Sequence, residues 1–514
     1  GSGGGGGAGA MGTGGAARSA SCMPSSKGAP VWQVNMVNLN FYMADTPLWY
    51  QSPVGPSVEL KLSYNAQTSL SGPFGRKWQL NYRSYCYRAV DNAEAFAGIM
   101  VVMPDGKQQL YVPDGAGSYK PPYGSFNTLT ELAETHFELR FQDGRVHVYK
   151  VPPEYTPPSG TTVISFLTEI QDAYGQKLTM GYDANARLTT ITDALGRVTT
   201  LTYNGDGLVA QAADPFGRVA AFEYDADQNL AKITDMGGYW TSLAYSQYGP
   251  TDYYLSGMTN AAGTWGFYFE PAGGSTGAAY PAPGTTMGDN YRITVTSPLG
   301  GKEEYYRTRS SAWYVRPGDY VPYTDDTNNN AAETVPKTGY SYVMTAGKRG
   351  EVGSVQSPGG NTTTYAYDSN GNMAGWSNGS SSFSYTYNAM GKITSITDHA
   401  YQVTNLIYAA NGVDLTGITN GLGTITLAYN SAHDVTSYTD RSGNTKTVAY
   451  NGYGQMESVT ESINATTSTT TNYVYDANHR LSRISRDGQT LRSYTYDAIG
   501  RVLTVTDSTR LMAS

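Results

Sequence analysis

Cysteine and histidine are nearly missing from this chain, and charge is sparse. There are 2 cysteines and 5 histidines in 514 residues, and charged side chains make up 15%. With only Cys22 and Cys86, and no CxxC spacing, the sequence offers neither a disulfide scaffold nor a cysteine-based zinc site. A single Cys22–Cys86 disulfide stands as one alternative and two free thiols as the other. The histidines, His136, His147, His399, His433 and His479, fall in no HExxH or serine-triad setting, so each reads as a surface or strand position. No catalytic constellation and no cofactor site is expected, and the chain reads as a non-enzyme. A net charge of −8 leaves no basic footprint for nucleic acid or an anionic membrane. No apolar run approaches the roughly 20 residues of a membrane-spanning helix. No signal peptide is visible, and a chain that begins with Gly implies a processed or trimmed start.

The apolar share, 39%, is low for a packed globule, whereas 44 Tyr and 60 Gly are many. Their arrangement supplies the reason. Tyr182, Tyr203, Tyr224 and Tyr245 recur every 21 residues, and so do Tyr387, Tyr408, Tyr429 and Tyr450. Two residues before the first four stand Met180, Leu201, Phe222 and Leu243. An alternating run then ends in Asp193, Asp214 or Asp235, with Gly196, Gly217 or Gly238 three residues later. Self-similarity at a fixed period marks a repeat array, which grows by stacking.

One period is a β-hairpin. In the run from Arg197 to Tyr203, Leu201 and Tyr203 share one face, and Val198, Thr200 and Thr202 share the other. Asn204-Gly205 and the Asp-x-x-Gly steps supply residues that tolerate positive φ in tight turns. A unit this short has no room for a crossover helix. The expected fold is all-β, a long antiparallel hairpin meander curling into a shell or tube-like sheet. Its core stripe is expected to hold Leu201, Tyr203, Phe222, Tyr224, Leu243, Tyr245, Leu406, Tyr408, Leu427, Tyr429, Tyr494 and Tyr496. The tyrosines are expected to pack across strands rather than stack on sugars.

These residues resemble the YD repeats of the rearrangement-hotspot (Rhs) family, whose pattern is roughly YxYDxxGrLxxxTDxxG. The pattern returns at Tyr365–Asp368, Tyr385–Asn388, Tyr473–Asp476 and Tyr494–Asp497. A second likeness lies upstream. Leu62, Tyr64, Asn65, Gly72, Pro73, Phe74, Gly75 and Trp78 are similar to the segment that opens many such arrays, with Arg76-Lys77 departing from it. The resemblance implies a secreted or cell-surface bacterial protein. Family members include toxin-encapsulating shells, wall-associated proteins and adhesion proteins. Three readings follow: an extracellular structural protein that self-assembles into a shell, tube or filament; a toxin cocoon whose C-terminal effector is missing; and an adhesin for surface glycans.

Five segments are expected: a Gly-rich arm over 1–28, a β segment with atypical repeats over 29–160, regular repeats over 161–245, repeats with long insertions over 246–360, and regular repeats over 361–514, ending uncapped. Ordering a Gly-rich arm costs about 1–2 kcal/mol per residue that side chains cannot offset. The arm is therefore expected to hydrogen-bond along a sheet edge, that of a neighbouring copy above all, giving a homopolymer. Two local motifs are weighed. Asp325-Asp326 with Asn328, Asn329 and Asn330 clusters oxygen donors but lacks EF-hand spacing, so a solvated loop is the reading. Asp214-Pro215-Phe216-Gly217 has the letters of the self-cleavage segment in toxin-shell members, yet it occupies an ordinary repeat turn.

Overall fold

The computed structural model describes residues 11–13, 29–36, 39–68, 70–91, 95–115, 117–122, 124–247, 253–271, 291–307, 311–316, 336–343, 351–464 and 466–508. Every regular element among them is a β-strand. No helix of the described residues is long and apolar enough to cross a membrane, which does not bear on strands.

Beside a two-stranded hairpin of Ser71–Gly72 and Gly75–Arg76, two larger sheets form the described structure. The smaller has five antiparallel strands, Met11–Thr13, Val31–Asn35, Phe41–Tyr50, Val58–Asn65 and Trp78–Leu80. The larger is one antiparallel meander from Tyr85–Val90 to Val502–Asp507, each strand paired to the next along the chain. It closes on itself early, because Tyr85–Val90 pairs with Phe96–Val102 and also with Ile164–Gln171, through Tyr87↔Ile164 and Tyr85↔Phe166. The closure lies there and not at the last strand. Val502–Asp507 pairs with Gln489–Tyr496, and no register among the described residues links it to Tyr85–Val90. The region 246–360 continues the meander through Tyr253–Asn260, Gly263–Pro271, Tyr291–Thr296, Lys302–Arg307, Ser311–Val315 and Thr338–Tyr342.

Turn chemistry explains the short strands. Asp193 N–H donates to Arg197 O, and Gly196 N–H donates to Asp193 O, with Gly196 at φ 76°. This is a type I turn followed by a left-handed residue, a three-residue hairpin loop. The other end of the repeat uses the same turn. Asn204 N–H donates to Leu208 O, and the left-handed position falls on Gly207 at φ 78°. The expected Asn204-Gly205 turn is corrected accordingly. Gly205 keeps negative φ, and Asn204 serves as the side-chain acceptor for Asp206 N–H and Leu208 N–H. A longer loop lets Asn bond to its own backbone, which a two-residue turn does not.

At the matching place in the next repeat stands Gln228, at φ 64°. A side chain there is held against its conformational preference, at roughly 1 kcal/mol. Gln228→Gly is expected to stabilise the protein by about that amount. The check is a higher denaturant midpoint with an unchanged slope.

Curvature comes from the tyrosines. Register shifts fall between Gly181 and Tyr182, Thr202 and Tyr203, Glu223 and Tyr224, and Ala244 and Tyr245. The same shift recurs at Tyr367, Tyr408, Tyr429, Tyr450 and Tyr496. A bulge bends its strand and increases local twist, so one bulge per repeat at one height curls the meander into a wall.

The Gly-rich arm departs from expectation. Its described part, Met11–Thr13, pairs antiparallel with Val31–Asn35 of its own chain, as Met11↔Asn35. An edge tethered a few residues away is at a far higher effective concentration than the edge of another copy.

Candidate functional site: the inner face of the shell

The turn aspartates organise one rim of the wall. Asp193, Asp214 and Asp235 are buried. Asp193 Oδ1 accepts from Leu195 N–H and Arg197 N–H, both at 2.9 Å, and Oδ2 accepts from Arg197 Nε at 2.7 Å. Asp214 repeats this with Phe216, Arg218 N–H and Arg218 Nε. The Asp214-Pro215-Phe216-Gly217 run is therefore a repeat turn with a fully engaged carboxylate. An arginine stands four residues after the aspartate at Arg187, Arg197, Arg218, Arg480 and Arg501, the r of the YD pattern in the first and last two. Each pairs with its aspartate, which the pattern alone does not state. Two of these arginines reach inward. Arg197 donates to Ser52 Oγ at 3.2 Å with its guanidinium over the Tyr50 ring, and Arg218 donates to Trp49 O at 3.1 Å.

Asp235 lacks such a partner, since Tyr239 stands four residues on; its Oδ1 accepts from Gly237 and Tyr239 N–H. Buried Asp45, of the small sheet, faces the same region. Loss of hydration raises its carboxyl to about 7; the Thr46 N–H bond lowers it and the charge of Asp235 raises it.

Most repeat tyrosines are tied by the hydroxyl to a backbone carbonyl fifteen residues earlier, Tyr387 to one fourteen and Tyr475 to one nineteen residues earlier. Tyr203 donates to Leu188 O at 2.7 Å, Tyr224 to Val209 O at 2.7 Å and Tyr245 to Leu230 O at 2.9 Å. Tyr408 and Tyr496 do the same to Ile393 O and Leu481 O. The phenol thus satisfies a carbonyl on the adjoining strand that begins after the turn. Tyr203→Phe is expected to cost about 1–2 kcal/mol, because Leu188 O loses its side-chain partner. Chemical denaturation of the pair of proteins measures it, and equal midpoints would refute the assignment.

The inner face differs along the chain. Leu201, Phe222 and Leu243 are buried, while Tyr203, Tyr224 and Tyr245 are half-buried. They pack under the small sheet, whose side chains Phe41, Leu62, Tyr64 and Trp78 are fully buried, as is Phe74 in the turn between Tyr64 and Trp78. Phe74 meets Phe222 and Phe41 meets Phe267, each at 4.7 Å between ring centroids. Trp78 Nε1 donates to Tyr245 Oη at 2.8 Å, and Tyr64 Oη accepts from Leu255 N–H at 3.1 Å. The Tyr342 hydroxyl bonds Met36 O. In the later repeats the alternation persists but the cover is thinner. Leu406, Tyr408, Leu427, Tyr429, Tyr494 and Tyr496 are all half-exposed, as are Tyr365, Phe383 and Tyr385.

Lys77 was read only as a departure from pattern. It is buried at φ 62°, donates from Nζ to Ala66 O and Thr68 O, and lies 4.5 Å from the Tyr254 ring centroid. Carbonyls and a ring face compensate the buried ammonium. Cys86 is buried and its thiol is pushed well up by loss of hydration. Cys22 lies outside the described residues, and so do the Asp325–Asn330 cluster and most of both long insertions. Among the described residues no group of three or more His, Cys, Asp or Glu is placed to hold a metal ion.

The RHS Repeat family model matches residues 182–219, 203–239 and 475–510. The chain folds as an all-β shell, and residues 182–239 and 475–510 within it match Rhs repeats. No curated protein matches the sequence. Among solved structures, the crystal structure of TcdB2-TccC3 is similar at 11% identity and TM-score 0.40, covering 95% of this chain and 31% of that one. The Photorhabdus luminescens Tc holotoxin pore is similar at 10% identity and TM-score 0.34, covering 91% and 29%. The N-terminal domain of the effector SpvB from Salmonella typhimurium is 15% identical at TM-score 0.21, covering 63% and 94%. The chain spans less than a third of the length of the Tc chains, and likenesses at these scores carry no function over.

Proposed function

We propose that the chain is wall material of a secreted bacterial Rhs-type chamber that holds polypeptide cargo, a structural role with no chemistry assigned to it. The observation that carries this reading is the contrast along the inner face. The earlier repeats bury Leu201, Phe222 and Leu243 under the small sheet, whereas from Thr362 to Tyr496 the side chains at the matching positions, Tyr365, Tyr385, Leu406, Leu427 and Tyr494, are only partly covered. A broad, weakly charged aromatic face suits a polypeptide with exposed apolar segments, because burial of both surfaces is favourable without specific pairing. The test compares Tyr385→Cys on the inner face with Thr386→Cys on the outer face, in a Cys22→Ser background. A small maleimide is expected to label both, and a polymer-linked maleimide only Thr386→Cys. Equal labelling by the large reagent would end the chamber reading.

One observation favours a second reading, assembly of copies into a filament. All six residues of Val502–Asp507 are exposed, with Val502, Leu503 and Val505 at 51–64%, on a strand whose outer edge has no partner among the described residues. An apolar edge without Lys or Pro is a template for pairing. Sedimentation is expected to show species larger than the 55.2 kDa chain that Val505→Lys abolishes. A parent that stays monomeric at all concentrations would refute it.

A further inference from the structure

The small sheet has a second face. Along Val58–Asn65 the residues Leu60, Leu62 and Tyr64 turn to the buried core, so Lys61 and Ser63 turn the other way. That face borders a cavity of about 780 Å³, closed by two other parts of the wall. One is the early hairpin around Asp105 and Lys107 with the turn Phe141–Arg145. The other is the late repeats, through Lys392, Asp414 and His433. The early and late parts are fastened beside it: Gln142 Nε2 donates to Met390 O at 3.1 Å, and the Tyr174 hydroxyl donates to Asp434 Oδ2 at 2.5 Å.

The cavity lining carries four cationic side chains, Lys61, Lys107, Arg145 and Lys392, against three carboxylates, Asp105, Asp143 and Asp414. Asp414 is buried and both its oxygens are engaged, Oδ1 by His433 Nδ1 at 2.8 Å and Oδ2 by Asn411 Nδ2 at 2.7 Å. Asp143 is taken by Arg145 Nε at 2.7 Å. Asp105 accepts Lys107 N–H through Oδ1 at 2.9 Å. The ammonium groups of Lys61, Lys107 and Lys392 have no ion-pair partner among the described residues. They come from three separate stretches of chain that only the closed wall brings together. With His433 neutral the lining is net positive by one charge, and a partly enclosed space focuses that potential. Tyr42, Phe126 and Tyr429 supply apolar surface on the same lining. The volume falls within the range of small-molecule sites.

We propose that this cavity is a binding site for a small multivalent oxyanion, phosphate- or carboxylate-bearing, held by Lys61, Lys107 and Lys392. The ligand bridges the small sheet, the early ring and the late repeats, so occupancy stabilises the closed wall by mass action. The site does not depend on what the chamber contains.

The experiment is calorimetric titration of the full chain with inorganic pyrophosphate and, separately, with citrate, with melting temperature followed in parallel. Saturable binding that weakens with added salt and raises the melting temperature is expected. Saturation by one probe alone identifies phosphate or carboxylate as the recognised group. Lys107→Gln sits on an exposed hairpin and leaves the fold intact; it and Lys392→Gln are each expected to weaken binding about tenfold, the size of one charge-assisted hydrogen bond. Lys446→Gln, outside the cavity lining and paired with Glu461, is expected to bind as the parent does. The proposal is overturned if neither probe binds at millimolar concentration, or if Lys446→Gln weakens binding as much as Lys107→Gln does.

Discussion

Trp78→Ala is expected to release the small sheet from the wall, with a loss of about 3–5 kcal/mol. The indole is fully buried, its ring centroid is 5.5 Å from that of Tyr64, and its N–H donates to the Tyr245 hydroxyl across 167 residues of sequence. Removing it opens a cavity between two layers that cannot both collapse, because each is held by its own strand ladder. Trp78→Phe refills most of the space and lacks only the donor, so it is expected to lose much less. Limited proteolysis across residues 29–80, with unfolding followed by tyrosine fluorescence, separates the two. An alanine variant that melts with the parent, its small sheet still protected, would show that the anchor lies elsewhere.

The second large effect is a pH dependence centred on Asp45. Its carboxyl titrates near 7 when folded against 3.8 when free, mainly because it is buried. A raised folded pKa means that the folded state holds its proton more tightly. The contribution is fully present below 3.8 and is lost as pH rises through about 7. A shift of this size corresponds to about 4 kcal/mol. Asp45→Asn keeps an acceptor for the Thr46 N–H and cannot ionise. The variant is therefore expected to gain on the parent steadily between pH 4 and 8. Half-buried His147, held neutral with its pKa lowered to about 4 mainly by loss of hydration, works in the opposite direction as pH falls below 6.5. It is common to both proteins and cancels in the difference. Parallel stability curves would show that Asp45 does not carry this charge cost.

Much of the wall was legible in the chain because its determinants are local. A 21-residue period, alternation within it and Asp-x-x-Gly turns determine strand, turn and antiparallel order, since each bond of a hairpin lies within one or two units of its partner. The tyrosine positions were equally plain, and so was their place in cross-strand contact. That they mark bulges and tie their hydroxyls to carbonyls of the adjoining strand, most of them fifteen residues back, was not readable, because bulge register depends on the adjoining strand. The arginine four residues after several turn aspartates was visible as an offset, but its ion pair with the carboxylate and its inward reach depend on the folded turn.

What only the tertiary structure decided is whatever joins distant stretches. The sequence placed residues 31–80 ahead of the array as atypical strands. It could not say that they leave the meander, form their own sheet and lie beneath the repeats around residues 177–342, because no local pattern encodes the pairing of Trp78 with Tyr245 or Phe41 with Phe267. Nor could it bring Lys61, Lys107 and Lys392 to one cavity, or close the ring through Tyr85 and Phe166. Period and turn chemistry act over a few residues and so determine the unit. The accumulated bend of many bulges determines which units meet, and that sum exists only once the whole wall has formed.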